Sequence, residues 1–168
     1  MRSTNANFDI KHALDYKHPL YSVEIVSAQV AELPLVLPFI ASGTSVFLSN
    51  GLITGDTDNH SPYIIGIAGG KQTIVPDAGR ASISGLKISI LDYNNFFTDI
   101  ISDDTTNFLH RRKVVVKAGY SGLDYSDYLT VFTGWITGLK LSSDMTAYDL
   151  TVTDPQKWAQ KYICRDAT

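Results

Sequence analysis

Histidine, cysteine, serine and closely spaced carboxylates are the side chains through which these 168 residues could hold a metal or run acid–base chemistry. The four histidines, His12, His18, His60 and His110, are scattered, and none stands at a metal-ligand spacing from another His, Cys or carboxylate. Asp56, Asp58 and Asn59 in Gly-Asp-Thr-Asp-Asn-His open like a calcium loop. The glycine and distal glutamate of that motif do not follow, so the segment reads as a polar turn. Gly69-Gly70-Lys71 is followed by Gln72, and Ile65 stands where a phosphate-cradling loop needs its first glycine, which leaves a hairpin turn. No Gly-x-Ser-x-Gly elbow occurs, and Ser121 sits in a turn between Tyr120 and Gly122. A triad could assemble in space from any serine, histidine and aspartate, but no spacing singles one out. Asp103-Asp104 and Asp124 with Asp127 are carboxylate pairs of the kind that cleaves glycosidic bonds, yet both lie among turn residues, where acids are expected anyway. His110-Arg111-Arg112-Lys113 is the only basic cluster; with no aromatic platform beside it, it reads as a solvated strand start. The expectation is no catalytic, cofactor-binding or metal-ligating residue, and a chain that is not an enzyme.

Composition bounds the partners. Hydrophobic residues make up 44% and charged residues only 18%, against roughly a quarter charged in an ordinary soluble domain. So sparse a charge suits a surface partly covered in an assembly. A net charge of −3 and pI near 5.7 give no general attraction to nucleic acid or anionic lipid. The single cysteine, Cys164, cannot form an internal disulfide, which fits folding in a reducing cytosol. Met1 to Tyr21 lacks the apolar core of a signal peptide, and the longest apolar stretch, Leu33 to Ala41, is broken by Pro34 and Pro38 and is too short to span a bilayer.

The elements that would position any site are mostly strands. Residues 1–18 read as a polar arm ordered, if at all, by a neighbour, and residues 19–168 as one domain. Tyr21, Val23 and Ile25 alternate with polar residues, Ser45 to Ser49 suits a short strand, and 51–80, with six glycines and two prolines, has the composition of an irregular loop in which only Tyr63 to Ile67 suits a strand. Leu86, Ile88 and Ile90 form the next strand, out of phase with Ala81 and Ile83, which points to a β-bulge at Gly85. Asn94 or Asn95 can cap a short helix through Ile101, and Val114 to Val116 lead into the Ser121-Gly122 turn. Leu129 to Leu141 reads as one long strand with Leu129, Val131, Trp135, Leu139 and Leu141 on its buried face. Its return, Tyr148 to Val152, completes a hairpin, after which Asp154 caps a last helix. The expected fold is mainly β: an antiparallel split β-barrel or sandwich with one or two short helices.

Four segments resemble, in order, parts of bacteriophage tail-tip and baseplate hub proteins. They are Gly79 to Asp92, a strand passage ending in aspartate; Arg112 to Leu123, a basic start, an apolar strand and a Gly-Tyr-x-Gly-Leu turn; Phe132 to Ile136; and Tyr148 to Asp154. The resemblance spans roughly residues 20–162 and implies a split barrel related to the tail-tube fold. It further implies a structural virion protein in a trimeric ring of its own copies, joining the tail tube or distal tail protein to a fibre or spike. The virion tail, assembled in the host bacterial cytoplasm, would then be its place. Some such hubs carry an iron–sulfur cluster on several cysteines, which Cys164 alone cannot reproduce. The alternative reading is a carbohydrate-binding module whose stacking surfaces are Tyr120, Tyr125, Tyr128 and Trp135. Neither reading involves membrane insertion, specific nucleic-acid binding or a cofactor.

Overall fold

The computed structural model describes residues 5–14, 18–26, 45–70, 72–75, 80–83, 85–102, 109, 111–143 and 145–154. Leu33 to Ala41, Asp103, Asp104, His110, Cys164 and the helix expected after Asp154 lie outside the described residues.

The chain is mainly β, as expected. Helix α1 (Ala6–His12) precedes strands β1 (Pro19–Ile25), β2 (Val46–Ser49), β3 (Ile64–Gly69), β4 (Gln72–Val75), β5 (Arg80–Ile83) and β6 (Leu86–Leu91). Helix α2 (Phe96–Ser102) follows, then β7 (Lys113–Tyr120), β8 (Leu129–Leu141) and β9 (Ala147–Thr153). Seven strands form one antiparallel sheet in the order β2-β1-β7-β8-β9-β6-β3. Val23, Ile25, Leu48, Ile88, Ile90, Val114, Val116, Leu150 and Val152 pack into one buried cluster on the inner face, joined by Phe97 of α2. The sheet curls far enough that Ser61, just before β3, bridges Leu48 of β2 in parallel fashion. It goes no further: no ladder joins the two edges among the described residues, and the sheet is not closed into a barrel. Among the described residues no helix is long and apolar enough to cross a membrane.

The long hairpin has the expected boundaries but a different phase. Strand β8 carries two register shifts, one against β7 between the Val116 and Lys117 pairs and one against β9 between Ile136 and Gly138. Each leaves one residue of β8, Val131 and then Thr137, without an opposite number, and each extra residue turns the following side chains to the other face. Leu129 is thus in phase with the core, Phe132, Gly134 and Ile136 carry the inner face through the middle, and Leu139 and Leu141 return to it beyond the second bulge. Ile136 is 1% exposed and pairs with the buried Val152. Trp135 stands on the outer face, half-buried, and Leu139 and Leu141 overhang the end of the core at 37% and 39% exposure. The assignment of Trp135 to the buried face is therefore corrected.

Residues 51–80 are more regular than their composition suggests. Strand β3 pairs with β6, and β4 with β5 in a ladder of their own. Gly69 pairs with Leu86 and Gln72 with Ile83, three residues further along each strand, so one register runs through both ladders and no residue is inserted at Gly85. The glycines at 69 and 70, both at positive φ, mark the interruption. Residues 64–91 are thus one long hairpin whose outer half, β4–β5, is a two-stranded ribbon beyond the sheet. The N-terminal arm likewise differs from expectation, since α1 lies against its own chain, with Phe8 5.2 Å from the Tyr120 ring.

The phase of β8 can be checked with polar substitutions. Ile136→Asn removes a core side chain and buries an unpaired amide, a loss of more than about 4 kcal/mol. Trp135→Gln, on the outer face, is expected to cost less than half as much. Urea melts of both variants measure the difference, and equal losses would contradict the two-bulge register.

Candidate functional site

The described polar groups converge on the outer face of β1 and β7, where residues 50–60 and 123–128 cover the sheet. Ser22 alternates with Val23 and so points away from the main core, yet it is 1% exposed. Its Oγ lies 2.7 Å from His60 Nε2, and His60 Nδ1 lies 2.7 Å from Asp56 Oδ1. Asp56, in turn, accepts the backbone N–H groups of Asp58 and His60 at 3.0 and 2.6 Å, folding Asp56 to His60 into a tight turn with Asn59 at positive φ. Sequence reading took this segment for a polar turn, which it is. What it missed was the partner 38 residues upstream, because an isolated serine in an alternating strand reads as solvent-facing.

Charge and protonation follow from these contacts. Burial alone pushes the Asp56 carboxyl up, but the hydrogen bonds from the His60 ring and backbone N–H, its attraction to His60, and the Asp58 N–H outweigh burial and hold it below its ordinary 3.8. An ionised carboxylate only accepts, so Nδ1 of His60 carries the proton toward Asp56. The Ser22 hydroxyl donates to the Tyr125 hydroxyl oxygen at 3.4 Å. Around this chain of contacts the His60 ring meets Phe47 and Tyr125 edge-on at 5.3 and 4.7 Å, and Lys117, opposite Ser22 on β7, places its Nζ 4.3 Å from the centre of the Tyr125 ring.

Serine, histidine and aspartate are wired here as in a nucleophile relay. Geometry decides against attack on a substrate at this oxygen. Ser22 sits mid-strand with Ser49 and Lys117 on either side and no open path to its Oγ, whereas a reacting carbonyl must come within about 3–3.5 Å. The chain of hydrogen bonds is a tie between the 50–60 loop and the sheet.

Next to it lies a second apolar cluster of Leu123, Tyr125 and Tyr128, with Phe8, Leu20, Ile53 and Tyr120 packed against it. Tyr125 and Tyr128 are 9% and 7% exposed, so the stacking faces expected of them for a saccharide are covered. Burial first, then the charge of Asp56 and the nearby Tyr125, pushes the Tyr128 phenol up to about 12. Its ring lies flat on Gly119, where an added Cβ would fall 2.4 Å from Cε1. One strand position further, Tyr120 opens a turn closed by the Leu123 N–H, and Gly122 supplies the positive φ that such a turn needs at its third residue.

The remaining candidates are dispersed. Asp127 accepts hydrogen bonds from the Asn5 and Asn7 amides, His12 bonds the Tyr120 hydroxyl, and Ser121 is exposed with its N–H on the His18 carbonyl. Within the basic cluster Arg111 and Lys113 are exposed, as expected of a solvated strand start, whereas Arg112 is 4% exposed and donates from Nε to the Val26 carbonyl. Among the described residues, no group of three or more His, Cys, Asp or Glu could hold a metal ion. No known protein-family profile and no curated protein sequence matches the chain.

Two measurements test this site. A carboxyl held below its ordinary value stabilises the fold above that value, and the stabilisation is lost as pH falls through the folded-state value. Stability of Asp56→Asn against pH should therefore run flatter than the parent's below about pH 4, Asp92 still contributing to both curves. Gly119→Ala must displace the Tyr128 ring and is expected to cost at least about 1–3 kcal/mol, seen as a lowered thermal midpoint.

Proposed function

We propose that the chain is a structural component of a phage-type tail, a hub or tail-tip subunit that joins the tail tube to a distal fibre or spike. The observation that carries this reading is the hairpin of residues 64–91. A two-stranded ribbon is at best marginally stable alone in water, and β4–β5 pairs with no other strand among the described residues. Its root, β3, is an edge strand with no further partner among the described residues, and has the sequence Ile-Ile-Gly-Ile-Ala-Gly. Natural edges carry lysine, proline or inward charge to prevent pairing with other chains. The residues of β3 carry none of them, and among the described residues the bulge at Ile65 is the protection present. An edge and a ribbon of this kind suit a subunit that continues its sheet onto a neighbour, and the low overall charge suits a surface covered on assembly.

The four segments that resemble hub proteins fall on the neighbouring strands β6, β9, β8 and β7 of one sheet, the first of them reaching back into the ribbon strand β5. Gly79 to Asp92 includes β5 and β6, Arg112 to Leu123 is β7 with its turn, Phe132 to Ile136 is the middle of β8, and Tyr148 to Asp154 is β9. In this reading the neighbours are copies of the same chain around a three-fold axis, with the tube on one side of the ring and the fibre or spike on the other. Heterologous contacts close into such a ring when the rotation between neighbours closes.

Sedimentation of the parent and of a variant with residues 71–84 replaced by a short turn distinguishes the outcomes. The parent is expected to form a discrete oligomer and the variant a folded monomer with the parent's far-ultraviolet circular dichroism. A parent that stays monomeric at high concentration would remove self-assembly from the account, and a variant that still assembles would move the interface off the ribbon.

A further inference from the structure

We infer that the turn at Tyr93–Phe96, together with Tyr63, is a binding platform for a neutral saccharide. Three rings pack in series from the core to the surface: Tyr93 and Tyr63 have centroids 6.0 Å apart and tilted by 39°, Phe96 meets Tyr63 edge-on at 5.1 Å, and Tyr63 and Phe96 are half-buried against the main core. Tyr93 is the outermost, 56% exposed, whereas the rings of Tyr125 and Tyr128 are covered. The face of a sugar ring is lined by C–H bonds and packs on an aromatic face. Its rim of hydroxyls needs groups that both donate and accept.

Those groups stand beside the ring. Asn94 and Asn95 are exposed and both lie at positive φ, 53° and 58°, as the two central residues of a turn closed by the Phe96 N–H on the Tyr93 carbonyl. Such a turn favours glycine at its second central position, because a Cβ at positive φ costs energy that glycine avoids. Asparagine here keeps a planar amide, with one acceptor and two N–H donors, where glycine would suit the backbone better. Two adjacent amides match a pair of neighbouring hydroxyls. The turn residues carry no formal charge, which favours a neutral sugar over an acidic one.

The platform is fixed from below. The Asp92 carboxylate accepts the backbone N–H groups of Phe97 and Thr98 at 2.7 and 3.2 Å and the Thr98 hydroxyl, which also contacts the Tyr148 hydroxyl at 2.8 Å. Asp92 donates its own N–H to the Thr146 carbonyl, tying the turn to the start of β9. It is Asp92, rather than Asn94 or Asn95, that satisfies the first amides of α2, so the two asparagines are spared that role. A site held in place before its ligand arrives loses less entropy on binding.

The experiment is a nuclear magnetic resonance titration of the full chain with glucose, galactose, N-acetylglucosamine and their neutral disaccharides. At least one sugar is expected to shift the amide signals of Tyr63 and residues 93–96 with millimolar affinity. Tyr93→Phe should keep that affinity, and Tyr93→Ala should lose about tenfold or more of it. The double variant Asn94→Gly, Asn95→Gly should keep or raise the melting temperature, since glycine accepts both φ values, yet bind several-fold more weakly. A purely structural turn would not show that split. The inference is overturned if none of these sugars shifts the 93–96 signals, or if Tyr93→Ala binds as well as the parent. It is overturned equally if the same signals move with protein concentration alone, which would make the platform a contact between copies.

Discussion

The fold depends on how β8, the middle strand of seven and thirteen residues long, pairs over its first half with β7 and over its second half with β9, the two ladders meeting at Trp135. Strands twist, and a strand this long that kept one strict alternation would carry its apolar residues away from a curling sheet's inner face. The bulges at Val131 and Thr137 reset the phase twice, so that β7 and β9 both present their valines and leucine to one core. That core in turn decides where the edges lie. With β8 central, β2 and β3 come within one bridge of each other without forming a ladder. The edge that the proposed assembly uses is thus a product of pairing at the opposite side of the molecule.

The outer face is held by a different set of forces. Most sheets of this kind leave their second face to water, and alternation on β1 suggests the same here. Instead, the loop of residues 50–60 and the turn at 123–128 form a second layer over Ser22 and Gly119. Polar contacts bind the loop through Asp56 and His60, and aromatic packing binds the turn through Tyr125 and Tyr128. Because the His60 ring touches both Phe47 and Tyr125, the two halves of that layer are not independent.

Much of this was legible in the residues. Local alternation marked both strands of the long hairpin, since sequence-adjacent residues carry that signal, and the Asp56 turn was marked by its own Asx chemistry. Three things were not legible, each for a physical reason. The bulges in β8 exist because of what lies opposite, and Thr137 carries no mark of being unpaired. Tyr125 and Tyr128 look like a surface pair in a turn, and only the bare backbone at Gly119 shows where a ring can lie flat. Strand β4 was hidden in a stretch of loop composition, where glycines interrupt the hairpin that β3 begins without changing its register.

The unbroken register from ribbon to sheet gives the hairpin a directional mechanical character. Strands β3 and β6 share their register with β4 and β5, and β6 is also paired with β9. A load along the strand axes is carried in shear, so many hydrogen bonds must yield together. A load across the edge meets β3 alone, whose bonds to β6 can open in succession like a zipper. Force arriving along the ribbon would reach the centre of the sheet through β6, and force arriving from the side would peel the edge and leave the core intact.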